Sequence, residues 1–126
     1  MSNIETSTAF DKNVWEYDRW FEKHPYVYQS EILAIRQAIP RNNTGVEIGV
    51  GTGRFAVPLN IKFGVETSDI MATVAEQRGI TVYRAYAENL PLDNETFDFA
   101  LMVTTVCFLS DISKAFSEVH RILKPR

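Results

Sequence analysis

The sequence predicts an α/β fold in which a parallel sheet is flanked by helices. Four short apolar segments have the composition of strands, and segments with helical spacing lie between them. Strands that alternate with helices are joined by right-handed crossovers, which makes neighbouring strands parallel. The first predicted strand runs into Val46-Glu47-Ile48-Gly49-Val50-Gly51-Thr52-Gly53-Arg54. Its three alternating glycines indicate a sharp turn and allow the backbone to approach a ligand closely.

Two helices are predicted before the first strand. Residues 1–12 are polar and mixed, and we expect them to be a frayed terminus. Residues 13–23 should form a helix that Asn13 caps, with its apolar residues on one face. Pro25 should end that helix, and a second helix should follow over 30–39, where isoleucines recur at helical spacing.

The remainder of the chain is predicted as alternating strands and helices. The first strand covers 45–49, and Pro58 and Asn60 limit the helix after the glycines to about two turns. The other predicted elements are a strand over 61–66, a helix over 69–78 capped by Ser68 and ended by Gly79, strands over 80–85 and 97–103, and a helix from Asp111 to Leu123.

Composition excludes several classes of function. A net charge of −3 on 126 residues gives no electrostatic basis for binding nucleic acid or an anionic membrane. The single cysteine, Cys107, excludes an internal disulfide and a cysteine-based zinc site, and its apolar surroundings indicate a small buried hydrophobe. No apolar stretch approaches the ~20 residues of a membrane span, and residues 1–12 lack the apolar core of a signal peptide. We therefore expect one domain, 1–126, in the cytoplasm.

Three candidate binding elements follow successive predicted strands. They are the glycine loop with Glu47, then Glu66, and then Ala87-Glu88. Open parallel sheets bind ligands at the carboxyl ends of their strands, which is where all three elements should lie. Either Glu66 or Glu88 alone would more often be a solvated charge. Their joint order and spacing favour a binding site.

Several of these motifs resemble one enzyme family. An acid followed by Gly-x-Gly-x-Gly, as in residues 47–53, resembles the cofactor loop of class I S-adenosylmethionine-dependent methyltransferases. Gly64-Val65-Glu66-Thr67-Ser68 is similar to that family's Gly-Val-Asp-x-Ser, with Glu in place of the commoner Asp. Three further segments resemble one branch of the family, the ubiquinone-biosynthesis-like branch (methyltransferase type 11). They are Ala87-Glu88-Asn89-Leu90-Pro91, Phe97-Asp98 and Arg121-Ile122-Leu123-Lys124-Pro125.

The resemblance implies a Rossmann-like sheet of strand order 3-2-1-4, truncated after the helix that follows strand four. The chain would be the N-terminal, cofactor-binding half of the family's domain, with residues 1–44 as a helical cap. S-adenosylmethionine would be the cofactor, with its methionine end along the glycine loop and its ribose hydroxyls on Glu66. The implied cofactor-binding residues are Glu47, Gly49, Gly51, Gly53, Glu66, Thr67, Met71, Ala87, Glu88, Val103 and Tyr17.

The N-terminal helix and the region after strand four carry two further features. Tyr17 and Trp20 resemble the branch's Tyr-x-x-Trp helix, which can cover the cofactor, although an aromatic stripe of this spacing is also typical of a core. After strand four, the branch often has a small polar residue and a histidine pair. Here Val103, Cys107 and Phe108 stand at those positions, so no catalytic residue is assigned.

Methyl transfer remains compatible with this residue set. The sulfonium is already activated, and the enzyme mainly holds a small-molecule acceptor in line with the methyl group. His24 and His120 are expected on the surface, and the sequence contains no metal-ligand cluster. The acceptor pocket of the family is built largely after strand four.

The predicted fourth strand has the near-continuous apolar composition of a strand buried on both faces. With no following segment to pair with it, the strand would be an exposed edge, and such edges invite pairing with another chain. We therefore expect a homodimer through this edge, or aggregation if no dimer forms.

Two other functions remain open. One is a non-catalytic, cofactor-binding or self-associating remnant of a methyltransferase. The other is a nicotinamide-dinucleotide-binding domain, because Gly51-x-Gly53-x-x-Ala56 weakly matches the dinucleotide pattern. The Glu47 acid and the short helix after the loop favour the methyltransferase interpretation.

Overall fold

The computed structural model describes residues 3–41, 43–103, 105 and 109–125, with side chains from residue 13 onward. Cys107 and Phe108 lie outside the described residues. Cys107 was predicted to be a small buried hydrophobe, and both residues stand where the family branch often has a histidine pair. The elements are α1 (Asn3–Lys23), α2 (Pro25–Ala38), β1 (Gly45–Ile48), β2 (Phe63–Val65), α3 (Asp69–Gln77), β3 (Thr81–Tyr83), β4 (Phe99–Leu101) and α4 (Ile112–Ile122).

The four strands form one parallel sheet of order β3-β2-β1-β4, which confirms the predicted fold class. All four residues of β1 are buried, as expected for a strand with neighbours on both sides and cover on both faces. One face packs against α4 through Ala115 and Ile122. The other face packs against α3 through Ala75 and against the segment after the glycine loop.

The two N-terminal helices begin earlier than predicted. The interpretation of residues 1–12 as a frayed terminus was wrong for residues 3–12, which belong to α1. No glycine or proline occurs between Asn3 and Asn13 to stop the helix. The second helix begins at Pro25 and not at Ser30. Proline fits the first helical position, where no N–H is needed, and the Ser30 hydroxyl donates to the Tyr26 carbonyl inside the helix.

The segment after the glycine loop is a series of turns over residues 51–60, not the predicted two-turn helix. Pro58 has no N–H to donate to the Arg54 carbonyl, which accepts from the Tyr28 hydroxyl instead. Asn60 then adopts a φ of 60°, outside the helical region, and ends the segment. Only isolated helical hydrogen bonds survive, such as Val57 N–H to the Gly53 carbonyl.

The caps predicted at Ser68 and Asp111 are confirmed, whereas the cap predicted at Asn13 was wrong, because Asn13 lies inside α1. The Ser68 hydroxyl accepts from the Met71 amide, and the Asp111 carboxylate accepts from the Lys114 amide. The strands are shorter than predicted because the chain bends once the ladder ends. The amides of Gly49 and Val50, for example, both donate to one β2 carbonyl as the loop turns away.

The segment leading into β4 has a partner that was not predicted. Phe97 forms an isolated parallel bridge with Leu123, because α4 returns the chain alongside it. The Phe97 amide donates to the Ile122 carbonyl, and the Lys124 amide donates to the Phe97 carbonyl, both at 2.9 Å. The expectation that no later segment pairs with this strand was therefore wrong at Phe97. Within the described residues, β4 itself pairs only with β1.

Candidate functional site

A cavity of about 440 Å³ opens at the carboxyl ends of β1, β2 and β3. This volume lies within the ~300–1,000 Å³ typical of small-molecule sites, and the position is the one at which open parallel sheets bind ligands. We call it the strand-end cavity. Its lining consists of Tyr17, Ile48, Gly49, Gly51, Val65, Glu66, Thr67, Met71, Ala85, Tyr86, Ala87, Glu88, Val103, Thr105, Leu109 and Ser110.

Two of the three loop glycines face this cavity. Gly49 and Gly51 have φ angles of 79° and 58°, in a backbone region that residues other than glycine rarely adopt. A Cβ on Gly51 would lie 3.6 Å from the Tyr17 hydroxyl and 3.9 Å from the Met71 sulfur. Gly53 also has a positive φ, but its missing Cβ faces α3 and not the cavity. The structure therefore gives Gly53 a packing role and does not bring it into the lining.

Glu66 links the end of β2 to the glycine loop. Its Oε1 accepts from the Gly51 amide at 2.8 Å, and its Oε2 accepts from the Ser68 amide at 2.9 Å. An ionised carboxylate offers about four acceptor positions, so two remain for a ligand in the cavity. The two backbone bonds hold the carboxylate in one orientation.

Glu47 lies on the central strand behind the loop and is fully buried. Among the described residues, its Oε1 has no hydrogen-bond partner. Burial raises the pKa of the Glu47 carboxyl well above its ordinary value, although a backbone hydrogen bond from Ala56 opposes the shift. A buried acceptor without a partner is costly, so this oxygen favours a ligand or solvent donor near the loop.

Tyr17 reaches from α1 to the cavity, whereas Trp20 does not line it. The Tyr17 ring packs edge-on against Phe21, with centroids 5.2 Å apart. Burial raises the pKa of Tyr17 to about 12, so its hydroxyl keeps its proton and can donate at neutral pH. Trp20 instead stacks on the exposed His24. Of the two aromatic residues in the predicted pattern, only Tyr17 is placed to cover a ligand.

The residues predicted at β2 and β3 also reach the cavity. Thr67, Met71 and the buried Ala87 line its wall. Glu88 lies at the rim, where its Oε2 accepts from the amides of Ser110 and Asp111. Those bonds, with the Asp111 amide first, lower the pKa of Glu88. Glu88 therefore also fixes the segment that leads into α4.

The far wall contains residues that the sequence did not single out. Val103, which was predicted, lies beside Thr105, whose hydroxyl donates to the Ile48 carbonyl at 3.1 Å. The Thr105 side chain occupies the space that a Cβ on Gly49 would need. Leu109 and Ser110 complete this wall. No sequence pattern marked Thr105, Leu109 or Ser110, because they meet the glycine loop and the other cavity residues only through contacts between parts of the chain that are distant in sequence.

A network of charges centred on Asp18 was also missed. The carboxylate accepts from the Thr52 hydroxyl at 2.8 Å, from two nitrogens of Arg54 and from two nitrogens of Arg78. Burial alone would raise the pKa of Asp18, but the hydrogen bonds from Arg78 and Arg54 hold it well below its usual range. The partners lie far apart in sequence, so spacing gave no signal of this network.

The described residues include no group of three or more histidine, cysteine or acidic side chains that could hold a metal ion. His24 and His120 are both exposed, away from the cavity lining. Across that same part of the chain, no helix combines the length and apolar character needed to cross a membrane.

Comparison with known proteins identifies relatives along nearly the whole chain. The model of a methyltransferase domain family matches residues 46–126. An uncharacterised protein of Methanocaldococcus jannaschii is 50% identical over 116 residues, which cover 92% of this chain and 56% of that protein. A 2-phytyl-1,4-naphtoquinone methyltransferase of Nostoc punctiforme is 27% identical, over 96% of this chain and 60% of the relative.

A solved structure gives the same result for the fold. A SAM-dependent methyltransferase of Thermotoga maritima, described as a possible histamine N-methyltransferase, superposes with a TM-score of 0.86 at 56% identity. The match covers 91% of this chain and 55% of the Thermotoga protein. The chain thus spans about half the length of the Methanocaldococcus and Thermotoga proteins.

Proposed function

This chain belongs to the methyltransferase domain family, and from that membership we propose that it binds S-adenosylmethionine in the strand-end cavity and serves methyl transfer. The fold is that of S-adenosylmethionine-dependent methyltransferases, as the Thermotoga superposition shows. The observation that carries the proposal is the placement of Glu66 at the carboxyl end of β2. Two backbone amides fix its carboxylate, which keeps further acceptor positions for a ligand.

The proposed residue roles follow from the donors and acceptors of the cavity. Glu66 would accept the two ribose hydroxyls, because a fixed carboxylate binds a diol through charge-assisted hydrogen bonds. Met71, Ala87 and Thr67 would border the adenine, with Glu88 at the rim. A thioether and small apolar groups suit the face of a flat ring.

The methionine end would lie along the glycine loop. Gly51 leaves its backbone open to a ligand, which Tyr17 would cover from α1, whereas Gly49 lines the cavity with the Thr105 side chain packed against it. Glu47 does not line the cavity, so it would act from behind the loop, where its unpartnered oxygen remains available to a further hydrogen-bond partner. Val103 would close the far side, whereas Gly53 would act by allowing the turn and the packing of α3.

When bound, S-adenosylmethionine supplies an activated methyl group. The chain's own contribution is to orient the cofactor and to exclude water, which needs no protein nucleophile. The described residues offer no histidine to the cavity as a base. We therefore assign no catalytic residue to this chain.

The acceptor is proposed to be a small molecule. The Thermotoga neighbour is described as a possible histamine N-methyltransferase, and more distant relatives are named as quinone methyltransferases. An amine and a quinol are thus the first two acceptor classes to assay. The test is transfer of a labelled methyl group from S-adenosylmethionine to panels of both classes. Labelled product from either panel supports the proposal, and its absence from both would refute a small-molecule acceptor of these classes for this chain.

We also propose a helical cap, a dimer interface and a cellular location for this chain. Residues 1–44 would act as a helical cap over the cofactor half of a single domain, since α1 and α2 precede β1 and α1 reaches the cavity. The edge of β4 would support a homodimer. The cytoplasm is the proposed location, because a single cysteine suits a reducing compartment.

A non-catalytic remnant and a nicotinamide-binding domain were the alternatives. The comparisons do not support either one better than a methyltransferase domain. The dinucleotide pattern also needs a regular helix whose N-terminus meets the pyrophosphate. The segment after these glycines consists of turns instead.

A further inference from the structure

The Asp18 network joins three separate parts of the fold at one carboxylate. Asp18 lies on α1, Thr52 and Arg54 lie in and just after the glycine loop, and Arg78 caps the end of α3. Arg54 and Arg78 each contact both carboxylate oxygens, with N–O distances from 2.6 to 3.0 Å. This is a two-sided clamp with the geometric specificity of paired guanidinium–carboxylate bonds.

Other contacts strengthen the same junction. Arg54 also donates to the Asp18 backbone carbonyl at 2.9 Å and lies over the ring of Phe21, one turn further along α1. Arg78 donates to the Thr52 carbonyl in the glycine loop at 2.9 Å. The Asp18 side chain is only 18% exposed, so solvent screens these charges weakly.

Tyr17 directly precedes Asp18, and neighbouring residues on a helix point about 100° apart. A clamp on Asp18 therefore sets both the height and the rotation of α1 at Tyr17. The Tyr17 hydroxyl is the part of α1 that lies over Gly51 at the cavity. Asp18 itself does not line the cavity.

We propose that Asp18 is a positioning residue for cofactor binding: by clamping α1 to the glycine loop and α3, it holds Tyr17 over the strand-end cavity. The inference rests on the proposed function for the identity of the ligand. Without the clamp, α1 would still form, because it is a helix of 21 residues, but its docking would depend on its buried apolar side chains, Val14 and Phe21.

The test is a double-mutant cycle on the full chain, with S-adenosylhomocysteine as the calorimetric probe. Asp18→Asn keeps the side-chain size and removes the charge, and it should weaken binding at least about tenfold. In the Tyr17→Ala background, Asp18→Asn should weaken binding little further, because the Tyr17 side chain that Asp18 positions is already absent. Equal, additive losses in both backgrounds would overturn the proposal, since a general loss of stability acts whether or not Tyr17 is present.

A second readout works without any ligand. Hydrogen exchange of the α1 amides should speed up in Asp18→Asn, while the amides of β1 keep their protection. Unchanged α1 exchange would overturn the proposal even if binding weakened. If the unaltered chain binds no S-adenosylhomocysteine, the proposed function fails, and the exchange result alone decides whether Asp18 docks α1.

Two further variants control for folding and charge. Arg78→Gln removes one of the two arginines of the clamp and leaves Arg54 to neutralise Asp18. It should therefore weaken binding less than Asp18→Asn does. This variant also tests the proposal if Asp18→Asn does not fold. Glu76→Gln is the matched carboxylate-to-amide control, because Glu76, which lies on α3, forms an exposed ion pair with Arg84 after β3. It should leave the affinity unchanged. An equal loss in Glu76→Gln would refute a specific role for Asp18.

Discussion

Glu66 accepts the amide hydrogen of Gly51 at 2.8 Å and so ties the end of β2 to the glycine loop at the end of β1. The same carboxylate accepts from the Ser68 amide, which leads into α3. One side chain therefore ties together two of the backbone segments that border the strand-end cavity. Such preorganisation lowers the cost of binding, because fewer groups must be ordered when the ligand arrives.

Replacing Glu66 should weaken cofactor binding more than it weakens the fold. We expect Glu66→Ala to reduce the affinity for S-adenosylhomocysteine by ~1.5–3 kcal/mol, the range for hydrogen bonds to a charged group. Glu76→Ala, an exposed carboxylate on α3, serves as the control and should bind normally. Calorimetry on both variants gives the comparison. Unchanged affinity in Glu66→Ala would move the ribose contact elsewhere.

A side chain at Gly51 should damage the site as well as the loop. Gly51 and Gly79 both have positive φ angles, of 58° and 95°, so valine at either position carries backbone strain of ~1–2 kcal/mol or more. Only Gly51 faces Tyr17 and Met71, whereas a Cβ on Gly79 meets open space. We therefore expect Gly51→Val to lose binding and Gly79→Val to keep it, with comparable losses of stability in urea unfolding. Normal binding by Gly51→Val would refute the loop assignment.

Glu47 should make the unliganded chain less stable as the pH rises. Its pKa is raised in the folded state, so between the ordinary value of 4.5 and the raised value the unfolded chain loses a proton that the folded chain keeps. The free energy of unfolding therefore falls with increasing pH over that window, and below it Glu47 has no effect. Glu47→Gln should remove this slope. Urea unfolding of both forms at pH 5 and pH 8 measures it, and parallel pH profiles would contradict the buried, protonated carboxyl.

The exposed side of β4 should promote association of the chain. Phe97 is paired with Leu123, but the described structure pairs Phe99–Leu101 only with β1. Phe99 and Leu101 are already half-buried, so each would gain less than the ~1.5–3 kcal/mol of full side-chain burial. We expect light scattering to show a dimer that forms with concentration, together with slower exchange of the β4 amides. A monodisperse monomer at high concentration would refute the edge-mediated dimer.

Much of the fold was predictable because its signals are local. The alternation of apolar segments, the caps at Ser68 and Asp111 and the three glycines are each read within a few residues. Some local signals also led to wrong predictions. Pro25 was interpreted only as a helix end although proline also starts helices, and the residues around Pro58 were assigned a helix that the missing N–H prevents.

The site was predictable where family motifs mark it and not where distant segments meet. Gly49, Gly51, Glu66 and the residues after β3 line one cavity, as their order along the strands predicted. Gly53 has the same local pattern but turns its missing Cβ toward α3, which only the packing of that helix decides. The partners of Asp18 lie 36 and 60 residues away, and no periodicity connects residues so far apart.

Calorimetric titration of the full chain with S-adenosylhomocysteine, and separately with NADH, tests the central claim most directly. The account predicts saturable binding of S-adenosylhomocysteine with a dissociation constant below ~1 mM, a free energy more favourable than about −4.1 kcal/mol, and no saturable binding of NADH. Binding of NADH alone, or of neither compound at millimolar concentration, would contradict it.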